Sequence, residues 1–309
     1  MGKKVIMRYS NKNTAKQKAS FGIFFFFIFL KASYAQDFKL AGIKYANYPK
    51  SEIKNDSGNQ KISFQEFGVF VNFPKKLKND KTIVVNGFGY GFVEASFNNM
   101  LFRFDDNNKK LQMFYYQITL LHQWNEKWNL LVNLKPTLAS DFEAKLSRDD
   151  FVFQGAITAT RKLSSRFKIG GGFAYSARLG TPRIVPLINF HYKKNKHQIN
   201  ALLPLNAKYT YSLLPNNNLE LGLKYNLNGG NFNVHSADNR IDKINYSRVN
   251  FGVLTNYQIN KILRLETYGG LSINRKYNFV DANKNTLKFD SKAAPFFSVG
   301  IVIVSPKKN

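Results

Sequence analysis

The chain has no cysteine, which removes disulfide frameworks and thiolate chemistry and leaves no residue to carry a lipid behind an N-terminal leader. Histidine is scarce: the four in 309 residues are His122, His191, His197 and His235. No pair of them has a recognised ligand spacing, so neither a metal site nor a bound cofactor is expected. Acidic residues are few as well, 19 against 46 Lys and Arg, for a formal charge of +27. A sustained helical period is missing, and so is an apolar run of the roughly 20 residues that a membrane-crossing helix needs. The longest such run, Phe21 to Leu30, is about half that length.

That run explains the first part of the chain. It follows Lys3, Lys4, Arg8, Lys12, Lys16 and Lys18 and precedes Ser33-Tyr34-Ala35. A basic start, a short apolar centre and a small residue before a cut are the marks of a secretory signal peptide. The expected division is therefore 1–35 as signal peptide and 36–309 as the exported domain. Losing 35 residues, with seven Lys or Arg and no acid, leaves 274 residues at +20. An exported chain whose basic residues are scattered between turns and strands is not expected to bind nucleic acid.

Within the exported part, period-two alternation returns again and again. Trp128, Leu130, Val132, Leu134 and Leu138 oppose Asn129, Asn133, Lys135 and Thr137. The same division sets Leu219, Leu221, Leu223, Tyr225 and Leu227 against Glu220, Gly222, Lys224 and Asn226, and it recurs at 151–162 and 263–273. A membrane barrel and a soluble secreted sandwich both produce this pattern. Connection lengths separate them. Tight polar turns at 125–127, 164–166, 193–196, 215–218 and 258–261 alternate with longer polar segments near 48–60, 95–110, 139–150, 229–244 and 275–292. Short turns on one side and long loops on the other are the habit of outer-membrane barrels. The expectation is an all-β antiparallel transmembrane barrel of about 14 strands, with 12 as the alternative, running from near Phe38 to near Val304. Trp124, Trp128, Phe92, Phe167, Tyr175, Tyr192, Tyr257 and Tyr277 fall near strand ends, where an aromatic girdle would lie. Glycines at 87, 89 and 91 and at 170–172 alternate inside strands, so they are expected to relieve crowding in a curved sheet and not to cradle phosphate.

In a barrel the polar faces meet in the lumen. Lys135, Lys162, Lys168, Lys224, Arg248 and Arg264 would then outnumber Glu220 and Glu266, and these eight are the candidate selectivity residues. Excess positive charge in a wet pore favours anions. The competing reading is an internal salt-bridge network that closes the interior. Asp105-Asp106 and Asp149-Asp150 fall in expected loops, where solvated charge or cation binding beside lipopolysaccharide suits them better than acid–base work. His191 would share a face with Asn189 and Lys193, and outer-membrane phospholipases carry His, Ser and Asn on a lipid-facing wall; catalysis is nevertheless not expected here.

The stretch Pro295-Phe296-Phe297-Ser298-Val299-Gly300-Ile301-Val302-Ile303-Val304 resembles the closing strand read by the barrel-assembly machinery of Gram-negative bacteria. Ser298, Gly300 and Ile303 occupy its polar, glycine and hydrophobic positions, while Ser305 stands at the next hydrophobic one. Ser33-Tyr34-Ala35-Gln36, the Lys/Asn bias, Trp128 to Phe142, Asp149-Asp150-Phe151, Gly180 to Pro186 and Leu203-Pro204 are together similar to an uncharacterised barrel family of the Bacteroidota, a domain of unknown function. The resemblance covers most of the exported chain and implies the outer membrane, with its lipid and lipopolysaccharide as partners. It supplies no functional residue. Three roles follow as expectations: a passive or facilitated route for small anionic solutes; a plugged barrel whose loops at 95–110, 229–244 and 275–292 contact lipopolysaccharide or a partner protein; and an outer-membrane lipid hydrolase.

Overall fold

A computed structural model describes residues 38–54, 60–98, 108–214, 218–235 and 241–306. The expected signal peptide, 1–35, and the pair Asp105-Asp106 lie outside them. The strands are β1 (Lys39–Glu52), β2 (Lys61–Lys76), β3 (Thr82–Asn98), β4 (Asn108–Gln123), β5 (Trp128–Ser140), β6 (Phe151–Lys162), β7 (Phe167–Ser176) and β8 (Arg183–Lys194). There follow β9 (His197–Leu203), β10 (Asn206–Ser212), β11 (Leu219–Asn233), β12 (Lys243–Gln258), β13 (Leu263–Val280), β14 (Thr286–Ser291) and β15 (Ala294–Val304). Each strand from β1 to β13 pairs antiparallel with the next, β13 pairs with β15, and β15 pairs with β1. The sheet closes on itself along the body of the barrel, where each strand is paired on both sides. β14 and β15 pair with successive parts of β13 across the break at 292–293, so they share one place in the wall and the barrel has fourteen.

Alternation decides the two faces, because cross-strand partners point the same way. Leu134, Phe153 and Ile184 point outward with 56%, 66% and 71% of their surface open, a cost in water but the natural state against hydrocarbon. Local chemistry closes the short turns. Asn79, Asn125, Ser164 and Asn260 each accept backbone N–H bonds from two residues just ahead of them, as with Asn125 Oδ1 to the N–H groups of Lys127 and Trp128. Such side-chain turns reverse the chain with few residues. Trp124 is 68% open beside one of them, and Tyr257 is exposed beside another.

Three expectations are corrected. Tyr277 is not a girdle residue: it is 1% exposed inside the barrel and stacks on Phe64 at 5.1 Å. Strand reaches into both segments expected as loops: at 229–244, β11 runs on to Asn233 and β12 begins at Lys243, and most of 275–292 is strand, with β13 continuing to Val280 and β14 at Thr286–Ser291. Asp150 is not a solvated loop acid, as it is buried in a 3-10 turn, Arg148–Asp150, where it completes a capping box with Ser147. The glycines of β3 behave as expected: the Tyr115 ring lies over Gly89 inside the barrel, where a Cβ would collide with it.

One feature of the fold determines the interior. β9 and β10 have seven residues each, and their turn at Pro204-Leu205 stops well below the long-loop end. The last β10–β11 pair is Asn206 with Asn226, so the rest of β11 has only β12 beside it along the wall. Unpaired on its β10 side but still held to β13 through Lys243 to Ser247 of β12, the upper β11–β12 hairpin turns into the barrel and crosses to β5, where Asn233 pairs with Ser140. Tyr225, Leu227 and Val249, which alternation would aim at lipid, pack instead on Ala156, Ala174, Val185 and Leu187 of the opposite inner wall. Gly229 permits the crossing, because a Cβ there would strike the carbonyl oxygen of Arg178 in the β7–β8 loop.

Candidate functional site

The hairpin divides the lumen into two chemically different halves. Towards the short turns the inward side chains are polar and reach water. Lys44 faces inward beside Gly300 and Gly68 and is still exposed, and Lys208, Lys224, Glu220 and Glu266 are only partly buried. Lys208 and Lys224 are direct cross-strand partners. Lys39 and Lys44 stand within electrostatic reach of Lys224. Lys39 pairs with Glu266, Arg264 donates from Nε to Gln258, and Glu220 accepts from Asn256 at 3.0 Å. Lys39, Lys44, Lys208, Lys224 and Arg264 thus gather around the two carboxylates Glu220 and Glu266 on this side.

Towards the long loops the interior is dry. Tyr48, Ile62, Phe64, Leu111, Phe232, Tyr246, Tyr277, Phe279 and Phe296 form one buried cluster. Phe64 stacks on both Tyr246 and Tyr277, and Tyr48 on Phe296. At the boundary lies a single ion pair, Arg248 with Glu66. The guanidinium is fully buried, 3.5 Å from the centre of the Tyr48 ring, while Glu66 keeps 16% of its side chain open. Tyr246 and Asn228 also donate to the Glu66 carboxylate, and Asn228 and Asn250 donate to the Tyr48 hydroxyl. A bulge in β13 opposite Arg248, with Asn274 in the left-handed region, turns Arg275 inward too. Its Nε donates to Tyr277, and its two terminal nitrogens have no protein partner. Arg248 thus has a carboxylate in this desolvated core, while Arg275 has the Tyr277 hydroxyl, a costly arrangement for a buried guanidinium.

The hairpin tip is fastened at the rim. Asp141 donates its N–H to the Asn233 carbonyl at 3.2 Å and accepts the His235 N–H at 2.7 Å. Asn233 donates to Asp150 at 3.0 Å, and Lys109 bridges Asp141, Glu143 and the His235 carbonyl. Lys243 pairs with Asp149 at 3.0 Å. Asp150 is held below the ordinary carboxylate range: burial pushes it up, but the Ser147 N–H and the Ser140, Asn233 and Ser147 side chains outweigh that.

All eight residues singled out from the sequence face inward, yet they do not form one site. Lys224, Arg264, Glu220 and Glu266 meet in the wet half. Lys162 and Lys168 are cross-strand partners near the β6–β7 turn. Lys135 lies over the Tyr115 ring at 3.8 Å, and Arg248 is locked into the dry half. Lys39, Lys44 and Lys208 were missed, although Ile43-Lys44-Tyr45 and Tyr209 with Tyr211 around Lys208 carry the same alternation. His191 faces inward and bonds Asn200, away from lipid.

Residues 30–304 match a family described as a domain of unknown function, DUF6268. No curated protein matches the chain. Among solved structures it is similar to an outer-membrane channel from Pseudomonas putida F1, at 12% identity and a TM-score of 0.44, over 89% of this chain and 99% of that one. A TodX monoaromatic hydrocarbon channel mutant matches at 10% identity and a TM-score of 0.41, over 89% and 92%. The NanC porin matches at 6% and 0.35, over 85% and 98%.

Proposed function

The chain belongs to the DUF6268 family, a domain of unknown function, and we propose that it is a gated outer-membrane channel for small anionic solutes. The closed sheet with an apolar exterior supports the outer membrane, where a barrel satisfies its own backbone polar groups. The observation that carries the reading is the pairing of a wet, cation-rich half-lumen with a dry half closed by a hairpin of the barrel's own wall. Lys39, Lys44, Lys208, Lys224 and Arg264 draw anions into the vestibule. Passage then requires the upper β11–β12 hairpin to leave the lumen, which exposes Glu66 and Arg248 to water.

The test is conductance in planar bilayers under a salt gradient. Intermittent openings with a reversal potential on the anion side are expected, and the double substitution Lys208→Glu and Lys224→Glu moves it towards the cation side. The second reading, a permanently plugged barrel that acts through its loops, is favoured by the number of bonds at the hairpin tip. Asp141→Ala and Asn233→Ala remove the side-chain bonds at that tip, and a protein that stays silent even with Gly229→Val added to unseat the hairpin is the plugged barrel.

A further inference from the structure

The outer wall carries a feature that transport through the lumen does not use. A groove of about 610 Å³ crosses β2 to β6 on the outward face. Its sides are Val69, Val71, Phe88, Phe114, Leu138 and Phe151, and its lining is almost wholly apolar. That volume falls in the range of ligand sites. It is shaped by tilted rings: Tyr90 and Phe114 are 4.6 Å apart, Phe88 and Tyr116 5.1 Å. Phe142 stands beside it, its ring meeting that of Phe114 edge-on at 5.7 Å.

We propose that this groove holds an acyl chain of a phosphorylated glycolipid of the outer leaflet. Height in the wall selects the leaflet, because the groove rises from mid-strand to Phe151, the first residue after the 141–150 loop. The surrounding hydrocarbon selects an acyl chain as the filling, and because lipid tails are as apolar as the groove, its retention there comes from close packing against the rings. Charge selects the headgroup. The exposed Lys110, with Glu94 as its cross-strand partner, lies over the Phe92 ring at 4.6 Å, one ring above Tyr90, and so places an ammonium at the rim where a phosphate would sit. The inference rests on the placement in the outer membrane and is independent of conductance.

Its test is native mass spectrometry of the detergent-solubilised barrel, with bisphosphorylated lipid A as the probe and phosphatidylethanolamine as the control. One lipid A is expected to stay bound at a concentration where phosphatidylethanolamine does not. Val71→Trp fills the groove and lowers lipid A retention about tenfold. Lys110→Glu lowers lipid A retention and leaves phosphatidylethanolamine unchanged. Heat-modifiable gel mobility, measured on every variant, separates loss of the groove from loss of the barrel. Equal retention of lipid A by the wild type and a folded Val71→Trp, or equal retention of both lipids by the wild type, overturns the proposal.

Discussion

Replacing Glu66 by glutamine changes one charge at the boundary between the two halves of the lumen. The Arg248 guanidinium, 0% exposed, then stays buried with the rings of Tyr48, Phe64 and Tyr246 around it and no carboxylate. Breaking a buried pair from one side costs about 3–5 kcal/mol, because the remaining charge is uncompensated. Glutamine keeps an acceptor oxygen for Tyr246 and Asn228, which argues for the lower end of that range. If withdrawal of the hairpin hydrates Arg248, the penalty falls on the closed state alone. At about 1.4 kcal/mol per tenfold, the closed-to-open ratio drops roughly a hundredfold. The assay is the fraction of time open in a planar bilayer at fixed voltage, on protein whose folding is checked by heat-modifiable mobility. The double substitution Glu66→Gln and Arg248→Met provides the control, since it removes both charges and leaves no ion of the pair buried without its partner. Its open fraction lies below that of Glu66→Gln alone. A folded Glu66→Gln barrel with an unchanged open fraction would refute the gate.

The absence of cysteine makes a lock simple to build: with Ser140→Cys and Asn233→Cys, oxidation abolishes the openings and reduction restores them, as read in the same bilayer. Gly229→Val drives a side chain into the Arg178 carbonyl, so the upper hairpin no longer seats, and the cysteine pair introduced into that background forms its disulfide in a small fraction of molecules. Asp150 is depressed, so its contribution to fastening the tip is complete above the ordinary carboxylate value and is lost as pH falls through its lower folded value. Openings therefore become more frequent only below about pH 4, and Asp150→Asn removes that acid dependence. Lys162→Ala and Lys168→Ala, at the mouth and away from the Lys208–Lys224 pair, change the reversal potential less than either vestibule substitution does.

Alternation made the wall legible from the sequence because a barrel asks only one question of each side chain, lipid or lumen. Leu223 beside Lys224 answers it locally, and all eight lumen candidates fall on the inner face for that reason. The crossing hairpin defeats the rule. Between Asn226 and Asn233 the sequence reads Asn-Leu-Asn-Gly-Gly-Asn-Phe-Asn, the composition of a loop, yet both faces of that strand are covered by protein. A strand enclosed on both sides has no polar face to alternate with, and the two glycines that look like a loop are what let two backbones pass. Tyr277 and Asp150 were misplaced through the same event, one covered by the core the hairpin completes and the other by the turn its tip meets. The fold follows from neighbour-to-neighbour pairing, whereas the closed interior follows from contacts distant in sequence, among them Asn233 with Ser140, 93 residues apart, and Arg248 with Glu66. Such contacts can form or break while β11 keeps its β10 partners up to Asn226 and β12 stays paired with β13, which is the physical ground for treating the hairpin as a gate.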